Sequence, residues 1–139
     1  MLLAICGPAG AGKSKFAASF VDDLDFKPII PCTTRKMRPK EINGKDYHFY
    51  TNYEFKYAEQ DNKFINVEEY TGERFYAFRK SDIENAVSST DNYVVVCTPR
   101  GLREIKKQYD IENLHALYAS LCISIVLKGA RRIMGVCQI

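Results

Sequence analysis

The strongest constraint on the fold lies at the start of the chain, where the apolar run M-L-L-A-I-C leads directly into G-P-A-G-A-G-K-S, residues 7–14. A short, continuously apolar run bounded by glycine is typical of a buried strand. Residues 14–24 place apolar side chains at the spacing of an amphipathic helix. The glycine-rich segment therefore connects a strand to a helix, which is the context in which the pattern G-x-x-x-x-G-K-[ST] forms a phosphate-binding loop.

Each residue type in this segment, called the phosphate loop below, suits a phosphate ligand. Glycine lets the backbone turn so that successive N–H groups point into one concavity. The helix that follows adds the positive end of its dipole. Lys13 can reach β- and γ-phosphates, and the hydroxyl of Ser14 can ligate Mg²⁺. We predict that a nucleoside triphosphate binds to this loop, which consists of Gly7, Pro8, Ala9, Gly10, Ala11, Gly12, Lys13 and Ser14. The structural alternative is a glycine-rich turn that only caps a helix.

The rest of the chain alternates predicted strands and helices. Strands are predicted at 1–6, 26–33, 47–50, 93–97 and 116–127, with two more inside 64–78 around a turn at Thr71-Gly72. Helices are predicted at 14–24, at 53–60 with Asn52 as cap, at 81–88 with Ser81 as cap, and at 101–109. Such alternation is typical of an α/β fold, a parallel sheet with helices on both faces.

One stretch departs from this pattern, since segment 35–78 is polar and β-rich. We predict a single domain in which 1–34 and 79–127 form the core and 35–78 forms a small insert at the edge of the sheet. Residues 128–139 form an atypical tail.

Composition excludes several classes of protein. Formal net charge is only +3, from 20 basic and 17 acidic residues, which is too mild to indicate a nucleic-acid partner. No apolar stretch is long enough for a membrane span, and the first one is too short for a signal peptide. Five cysteines without a C-x-x-C pair are typical of buried thiols in a reducing compartment, so a cytoplasmic protein is expected.

A second motif is the basic loop T-T-R-K-M-R-P-K-E-I-N-G-K-D-Y-H-F-Y, residues 33–50. Two arginines three positions apart, Arg35 and Arg38, can form planar forks around one phosphate, and the hydroxyl of Tyr47 can add a donor. The alternative for a charge run of this kind is a solvated basic loop.

The same stretch resembles the guanylate kinase family, which shows S-x-x-T-R-x-x-R-P-G-E-x-x-G-x-D-Y-x-F where this chain has P-C-T-T-R-K-M-R-P-K-E-I-N-G-K-D-Y-H-F. Residues 63–78 are similar to the family's F-I-E-x-x-x-x-x-G-x-x-Y-G. The run Y-V-V-V-C-T-P-R-G-L-R-E-I-K looks like a variant of its D-I-D-x-Q-G-x-x-x-(V/I)-K. Together the matches extend from residue 1 to about residue 107.

The resemblance implies a nucleoside monophosphate kinase that transfers the γ-phosphoryl group of Mg-ATP to GMP or a related (deoxy)nucleoside monophosphate, with small nucleotides as its partners. The catalytic residues would be Lys13, Arg35 and Arg38, and Ser14 would be the metal ligand. The acceptor-binding residues would be Arg35, Arg38, Tyr47, Asn66, Glu68 and Tyr76. The phosphate loop and the arginine pair are then expected to face each other across one cleft.

Base recognition is the first departure from the family. The family's acidic residue that pairs with guanine falls on Asn66, unless a register shift brings Glu68 or Glu69 there. A carboxylate accepts two N–H groups, whereas an amide offers one acceptor and one NH₂ group. The acceptor base and the choice between ribose and deoxyribose therefore stay open. A phage-type deoxynucleoside monophosphate kinase with broader base choice is the alternative enzyme.

Two further departures concern the metal and the tail. The aspartates of D-I-D fall on Val96 and Thr98, and Arg100 at the end of that strand is a candidate for the pocket. Residues 128–139 match no arginine-bearing lid, although Arg131 and Arg132 could imitate one, so the lid is expected to be absent or degenerate. A truncated or catalytically weak nucleotide-binding or protein-interaction module is therefore a further alternative, and the oligomeric state stays open.

Overall fold

The computed structural model describes residues 1–111 and 114–118. In chain order the elements are β1 (Leu2–Cys6), α1 (Lys13–Leu24), β2 (Lys27–Pro28), β3 (Cys32–Thr33), β4 (His48–Phe49), α2 (Asn52–Gln60), β5 (Phe64–Tyr70), β6 (Arg74–Arg79), α3 (Lys80–Ser88), β7 (Tyr93–Val96), α4 (Pro99–Tyr109) and β8 (Leu114–Tyr118). They belong to two compact units. The first combines Met1–Pro28 with the described residues from Ala86 to Tyr118, and the second is Ile29–Asn85.

The first unit contains a four-stranded sheet in the order β2-β7-β1-β8, in which every neighbouring pair is parallel. All five residues of β1 are buried, as expected for a strand that is apolar on both faces and covered by helices. Helix α1 buries Ala17 in a core with Leu3, Ile5, Phe26 and Val94. The predicted α/β fold with a parallel sheet flanked by helices is confirmed.

The second unit contains a mixed sheet in the order β4-β3-β6-β5. Strand β3 pairs in parallel with β4, whereas β6 pairs antiparallel with both β3 and β5. Its core is aromatic: Phe55 of α2 contacts the rings of Phe64, Phe75 and Tyr50, at centroid distances of 4.6, 5.5 and 6.2 Å. The two strands predicted inside 64–78 are confirmed as β5 and β6.

The single strand predicted at 26–33 is wrong. Its two ends form separate strands, and β2 belongs to the first sheet while β3 belongs to the second. The apolar residues Ile29 and Ile30 connect the two strands, so hydrophobicity alone does not separate them. The prolines Pro28 and Pro31 interrupt the strand, because proline lacks the N–H group that a continuous strand donates to the hydrogen bonds of its sheet.

Both predicted helix caps are also wrong. Helix α2 is capped by Thr51, whose Oγ1 accepts from the amide of Glu54 at 3.2 Å while the Glu54 carboxylate accepts from the amide of Thr51 at 2.8 Å. This capping box places Asn52 inside the first turn. Helix α3 begins at Lys80, so Ser81 also lies inside its helix.

The last predicted strand, 116–127, begins earlier than expected, at Leu114. Its described part ends at Tyr118, and the remainder lies outside the described residues, as does the tail at 128–139. Across the part of the chain that the structure describes, we find no helix with the length and apolar character needed to cross a membrane.

Phe55→Ala is expected to destabilise the second unit strongly. The side chain is fully buried, and truncating a buried phenylalanine costs about 3–5 kcal/mol through lost burial and the cavity that remains. Tyr53→Ala is the matched control, because Tyr53 lies on the same helix but is 80% exposed. Urea unfolding followed by circular dichroism measures both losses, and equal losses would contradict the assignment of Phe55 to the core.

Candidate functional site

The phosphate loop leaves β1 and enters α1 with its backbone in the left-handed region. Gly10 has φ 79° and Gly12 has φ 76°, and a Cβ built on either would meet no atom within 4 Å. A side chain at these positions would therefore strain the backbone, although space is available. Gly12 is the N-cap of α1, and no side chain of the described residues makes a capping hydrogen bond there. The amides of the first helical turn are left open to an anion.

Lys13 supplies a positive charge to the loop. Its Nζ donates to the carbonyl of Pro8 at 2.7 Å, so the side chain folds back over the loop. The first turn of α1 contains no acidic residue that would oppose an anion, and Ser14 exposes its side chain beside it. Backbone amides, a lysine and a hydroxyl together fit the phosphates of a nucleoside triphosphate and one metal ligand.

A carboxylate to complete a metal site is missing where the resemblance would put one. Val96 ends β7, and the Oγ1 of Thr98 accepts from the amide of Gly101 at 3.0 Å, which caps α4. Within residues 1–111 and 114–118, no three His, Cys, Asp or Glu side chains converge to hold a metal ion. Arg100 is exposed and pairs with Glu104, one helical turn further on, at 3.0 Å.

In the second unit, Arg35 is held by Glu41. The two guanidinium NH₂ groups donate to the two carboxylate oxygens at 3.0 and 2.8 Å, and only 9% of the Arg35 side chain is exposed. This hydrogen-bonded pair raises the pKa of Arg35 and lowers the pKa of Glu41. The guanidinium is therefore fixed in position before any ligand binds.

Aromatic rings line the same guanidinium. Arg35 lies over the ring of Tyr47, 5.2 Å from its centroid, and the Tyr47 ring lies 6.1 Å from that of Tyr76. Burial raises the pKa of Tyr47, which keeps its hydroxyl protonated and able to donate a hydrogen bond.

Glu68 joins this cluster through β5. It is the register partner of Tyr76, and its Oε2 accepts from the hydroxyl of Tyr70 at 3.1 Å. The Tyr70 ring lies 5.3 Å from that of Tyr76. The structure thus connects four of the predicted acceptor residues by direct contacts or register: Arg35, Tyr47, Glu68 and Tyr76.

Asn66 is the most unusual residue of the unit. It lies at a bulge between Ile65 and Glu68, with φ 53° and only 6% of its surface exposed. Asparagine tolerates this left-handed backbone better than most residues. Its Oδ1 is buried and accepts no hydrogen bond from any described residue. A buried hydrogen-bond acceptor without a donor lowers the stability of the folded state, and a ligand that donates a hydrogen bond to it would remove that cost.

Arg38 differs from Arg35. Its side chain is exposed and makes no hydrogen bond or ion pair with the described part of the chain, although its backbone amide donates to the Glu41 carboxylate at 2.7 Å. The Glu41 carboxylate therefore orders the loop that carries both arginines, and it leaves the Arg38 guanidinium available to bind a ligand.

Glu41, Tyr70 and Arg79 are the residues that sequence reasoning did not single out. A signal for Glu41 was present, because it is the acidic residue of R-P-K-E, three positions after Arg38. Arg79 links the sheet to α3, where its Nε donates to Asp82 at 2.8 Å. Its NH₂ group also lies 2.7 Å from Nε2 of His48.

His48 should make stability depend on pH. Burial and the Arg79 charge lower its pKa below the ordinary 6.5, and Asp82 opposes this only in part. Because the folded-state pKa is depressed, its contribution is complete above 6.5 and is lost as the pH falls through the folded-state value. Urea unfolding across this range should show a pH dependence that His48→Gln flattens. His115→Gln, which changes the exposed histidine of β8, should leave it intact, and identical profiles for all three proteins would contradict this assignment.

Comparison with known families agrees with the sequence motifs. The family model described as guanylate kinase matches residues 1–119. A guanylate kinase of Lactobacillus delbrueckii subsp. bulgaricus is 32% identical over 110 residues, which cover 78% of this chain and 53% of that protein. A guanylate kinase of Thermotoga maritima is 33% identical over 109 residues, which cover 78% of this chain and 52% of that protein. The chain spans about half the length of these relatives.

Among solved structures, guanylate kinase from Anaplasma phagocytophilum has a similar fold. The TM-score is 0.67 at 20% sequence identity, and the match covers 85% of this chain and 58% of that one. At this identity the likeness concerns the fold alone.

Proposed function

We propose that this chain, which belongs to the guanylate kinase family, is a nucleoside monophosphate kinase that transfers the γ-phosphoryl group of ATP to GMP or a related nucleoside monophosphate. The observation that carries this proposal is the phosphate loop: an uncapped helix N-terminus with Lys13 folded over it and no acidic residue in the first turn. The buried thiols of Cys6, Cys32 and Cys97 fit a reducing compartment, so we assign the kinase to the cytoplasm.

On the donor side, the amides of residues 7–14 would hold the ATP phosphates, and Lys13 would exchange its contact with Pro8 for one with the β- and γ-phosphates. Mg²⁺, which supplies charge neutralisation when bound, would take the Ser14 hydroxyl as its protein ligand. Since Thr98 caps α4 rather than offering a carboxylate, phosphate oxygens and water would complete the metal coordination.

On the acceptor side, Arg38 would contact the monophosphate, because its guanidinium makes no hydrogen bond or ion pair with the described residues. Arg35, fixed by Glu41, would add its remaining N–H groups, and the hydroxyls of Tyr47 and Tyr76 would add neutral donors. Phosphoryl transfer needs little covalent help from the protein, so aligned phosphates and neutralised charge would account for the catalysis.

Two charge-removing variants test these assignments. Lys13→Ala should lower kcat about 10²–10³-fold, as expected for the loss of one donor to the transition state, without changing the circular dichroism spectrum. Arg38→Ala should mainly raise the KM for the acceptor, about tenfold or more, because it removes a contact to the monophosphate.

Matched controls are available for both variants in a coupled assay of ADP release. Lys15→Ala removes an exposed charge that directly follows the phosphate loop, and Lys36→Ala removes an exposed charge from the basic loop, so both should retain near-normal kinetics. An unchanged acceptor KM in Arg38→Ala would overturn the placement of the acceptor site.

The choice of acceptor base is expected to depend on Asn66, because its buried Oδ1 offers one unused acceptor. The assay should compare GMP, dGMP, dTMP, dCMP and dAMP. Asn66→Asp restores a carboxylate, which accepts two guanine N–H groups, and should raise kcat/KM for GMP relative to the other acceptors about tenfold. Asn62→Asp is the matched control, since Asn62 also has a left-handed backbone but is exposed and accepts from Lys80.

The same panel separates the alternatives. Turnover of several deoxynucleotides by the unmodified chain would favour the deoxynucleoside monophosphate kinase with broader base choice, for which the amide at Asn66 is the supporting observation. ATP binding without turnover of any acceptor would favour a nucleotide-binding module. An unchanged acceptor preference in Asn66→Asp would show that Asn66 does not select the base.

A further inference from the structure

Two thiols lie side by side at the entrance to the phosphate loop. Cys6 ends β1, Cys97 follows the last residue of β7, and their Sγ atoms are 3.7 Å apart. Both side chains are buried. Neither thiol takes part in the phosphoryl transfer proposed above.

The strand pairing fixes this arrangement. Ile5 is the register partner of Val96, and the amide of Cys97 donates to the carbonyl of Ile5 at 3.1 Å. The next step along both parallel strands therefore sets Cys6 beside Cys97. Neighbouring strands lie about 4.7–4.9 Å apart, inside the Cα separation of about 4.4–6.8 Å that a disulfide requires. Strand spacing in this range permits a disulfide that forms by rotation of the two side chains.

The surroundings also favour Cys6 as the attacking thiol. A hydrogen bond from Cys97 lowers its pKa, and the positive charge of Lys13 lowers it further, although burial acts in the opposite direction. Cys32 is the contrasting case, since burial raises its pKa to about 12. The thiolate is the reactive form of cysteine, so the two buried sites should differ in reactivity.

We propose that Cys6 and Cys97 form a reversible disulfide when the protein meets a hydroperoxide. The Cys6 sulfur attacks one peroxide oxygen and the O–O bond breaks, which gives a sulfenic acid on Cys6. The leaving oxygen takes the Cys6 proton and departs as water from hydrogen peroxide, or as an alcohol from an organic hydroperoxide. The Cys97 sulfur then attacks the Cys6 sulfur, the S–O bond breaks, and the leaving hydroxide takes the Cys97 proton and departs as water. The two sulfurs together lose two electrons and the peroxide gains them. A dithiol reductant breaks the disulfide again by thiol–disulfide exchange and restores both thiols.

The disulfide should also weaken ATP binding, a consequence that rests on the proposed function. Cys6 directly precedes Gly7, the first residue of the phosphate loop, and its neighbour across the sheet directly precedes the cap of α4. The disulfide changes the position of the Cys6 side chain, which directly precedes the phosphate loop. It also links Cys6 covalently to Cys97, the residue that follows β7. We expect the Kd for ATP to rise about tenfold, which corresponds to about 1.4 kcal/mol.

Peptide mapping tests the bond without any reference to activity. The reduced protein is treated with hydrogen peroxide, its remaining thiols are blocked, and trypsin is added without reductant. Residues 1–13 carry Cys6, 81–100 carry Cys97, and 16–35 carry Cys32, since cleavage before Pro28 is blocked. The expected product is 1–13 linked to 81–100, two hydrogens lighter than the separate peptides. Oxidation of the urea-unfolded protein should scatter linkages over all five cysteines.

Variants sharpen the test. Cys97→Ala should abolish the link and leave a sulfenic acid on Cys6 that dimedone traps, while Cys32→Ala should retain the link. Thermal unfolding of each reduced variant confirms that the fold is kept. A native wild-type map with no 1–13 to 81–100 product, or with scattered linkages like those of the unfolded protein, would overturn the proposed disulfide.

ATP titration of the reduced and oxidised protein separates this proposal from the proposed function. Weaker binding only after oxidation, and only when both thiols are present, is the expected result. Unchanged affinity in a protein that carries the link would overturn the effect on ATP. A reduced protein that binds no ATP would count against the kinase, while the peptide map would still decide the disulfide.

Discussion

The burial of β1 between two parallel neighbours is the constraint on which the first unit depends. All five of its residues are buried, and β7 and β8 pair with it on either side. Because the strand cannot shift without exposing its apolar side chains, the chain must leave the sheet at Cys6 and turn through the phosphate loop. The carboxyl edge of a parallel sheet is where such folds bind their ligands. The same register that positions the loop also sets Cys6 beside Cys97.

A charged pair has a corresponding effect in the second unit. A guanidinium that is nine-tenths buried is tolerated only when its hydrogen bonds are satisfied, and the Glu41 carboxylate satisfies two of those of Arg35. The same carboxylate accepts from the amide of Arg38, which draws the loop around it. Removing Glu41 would therefore affect both arginines, even though it is not a ligand-binding residue in our proposal.

The sequence predicted best what depends on local pattern. Strand β1 and helix α1, which flank the phosphate loop, follow from the apolar run and the helical periodicity within about twenty residues, and both are confirmed to within one residue at each end. The assignment of β2 and β3 to different sheets was missed because the pattern of residues 26–33 does not specify which strand each half pairs with. The Thr51 cap was missed by one position, since threonine and asparagine both cap helices. The motif R-P-K-E contains Glu41 but does not specify that its carboxylate forks onto Arg35, and no local pattern specifies the left-handed backbone of Asn66.

The two halves of the proposed reaction differ in how much they depend on side chains. The donor phosphates would be held mainly by backbone amides and Lys13, so the replacement of a carboxylate by Thr98 near the loop leaves those contacts available. The acceptor base, in contrast, would be read by few side-chain atoms, of which the buried Oδ1 of Asn66 is one. A single change from carboxylate to amide there would alter which bases are matched, whereas the proposed phosphate contact of Arg38 would not depend on it. Under the proposed function, the departure from the family pattern at Asn66 would therefore change the choice of acceptor base before it changes the phosphoryl transfer itself.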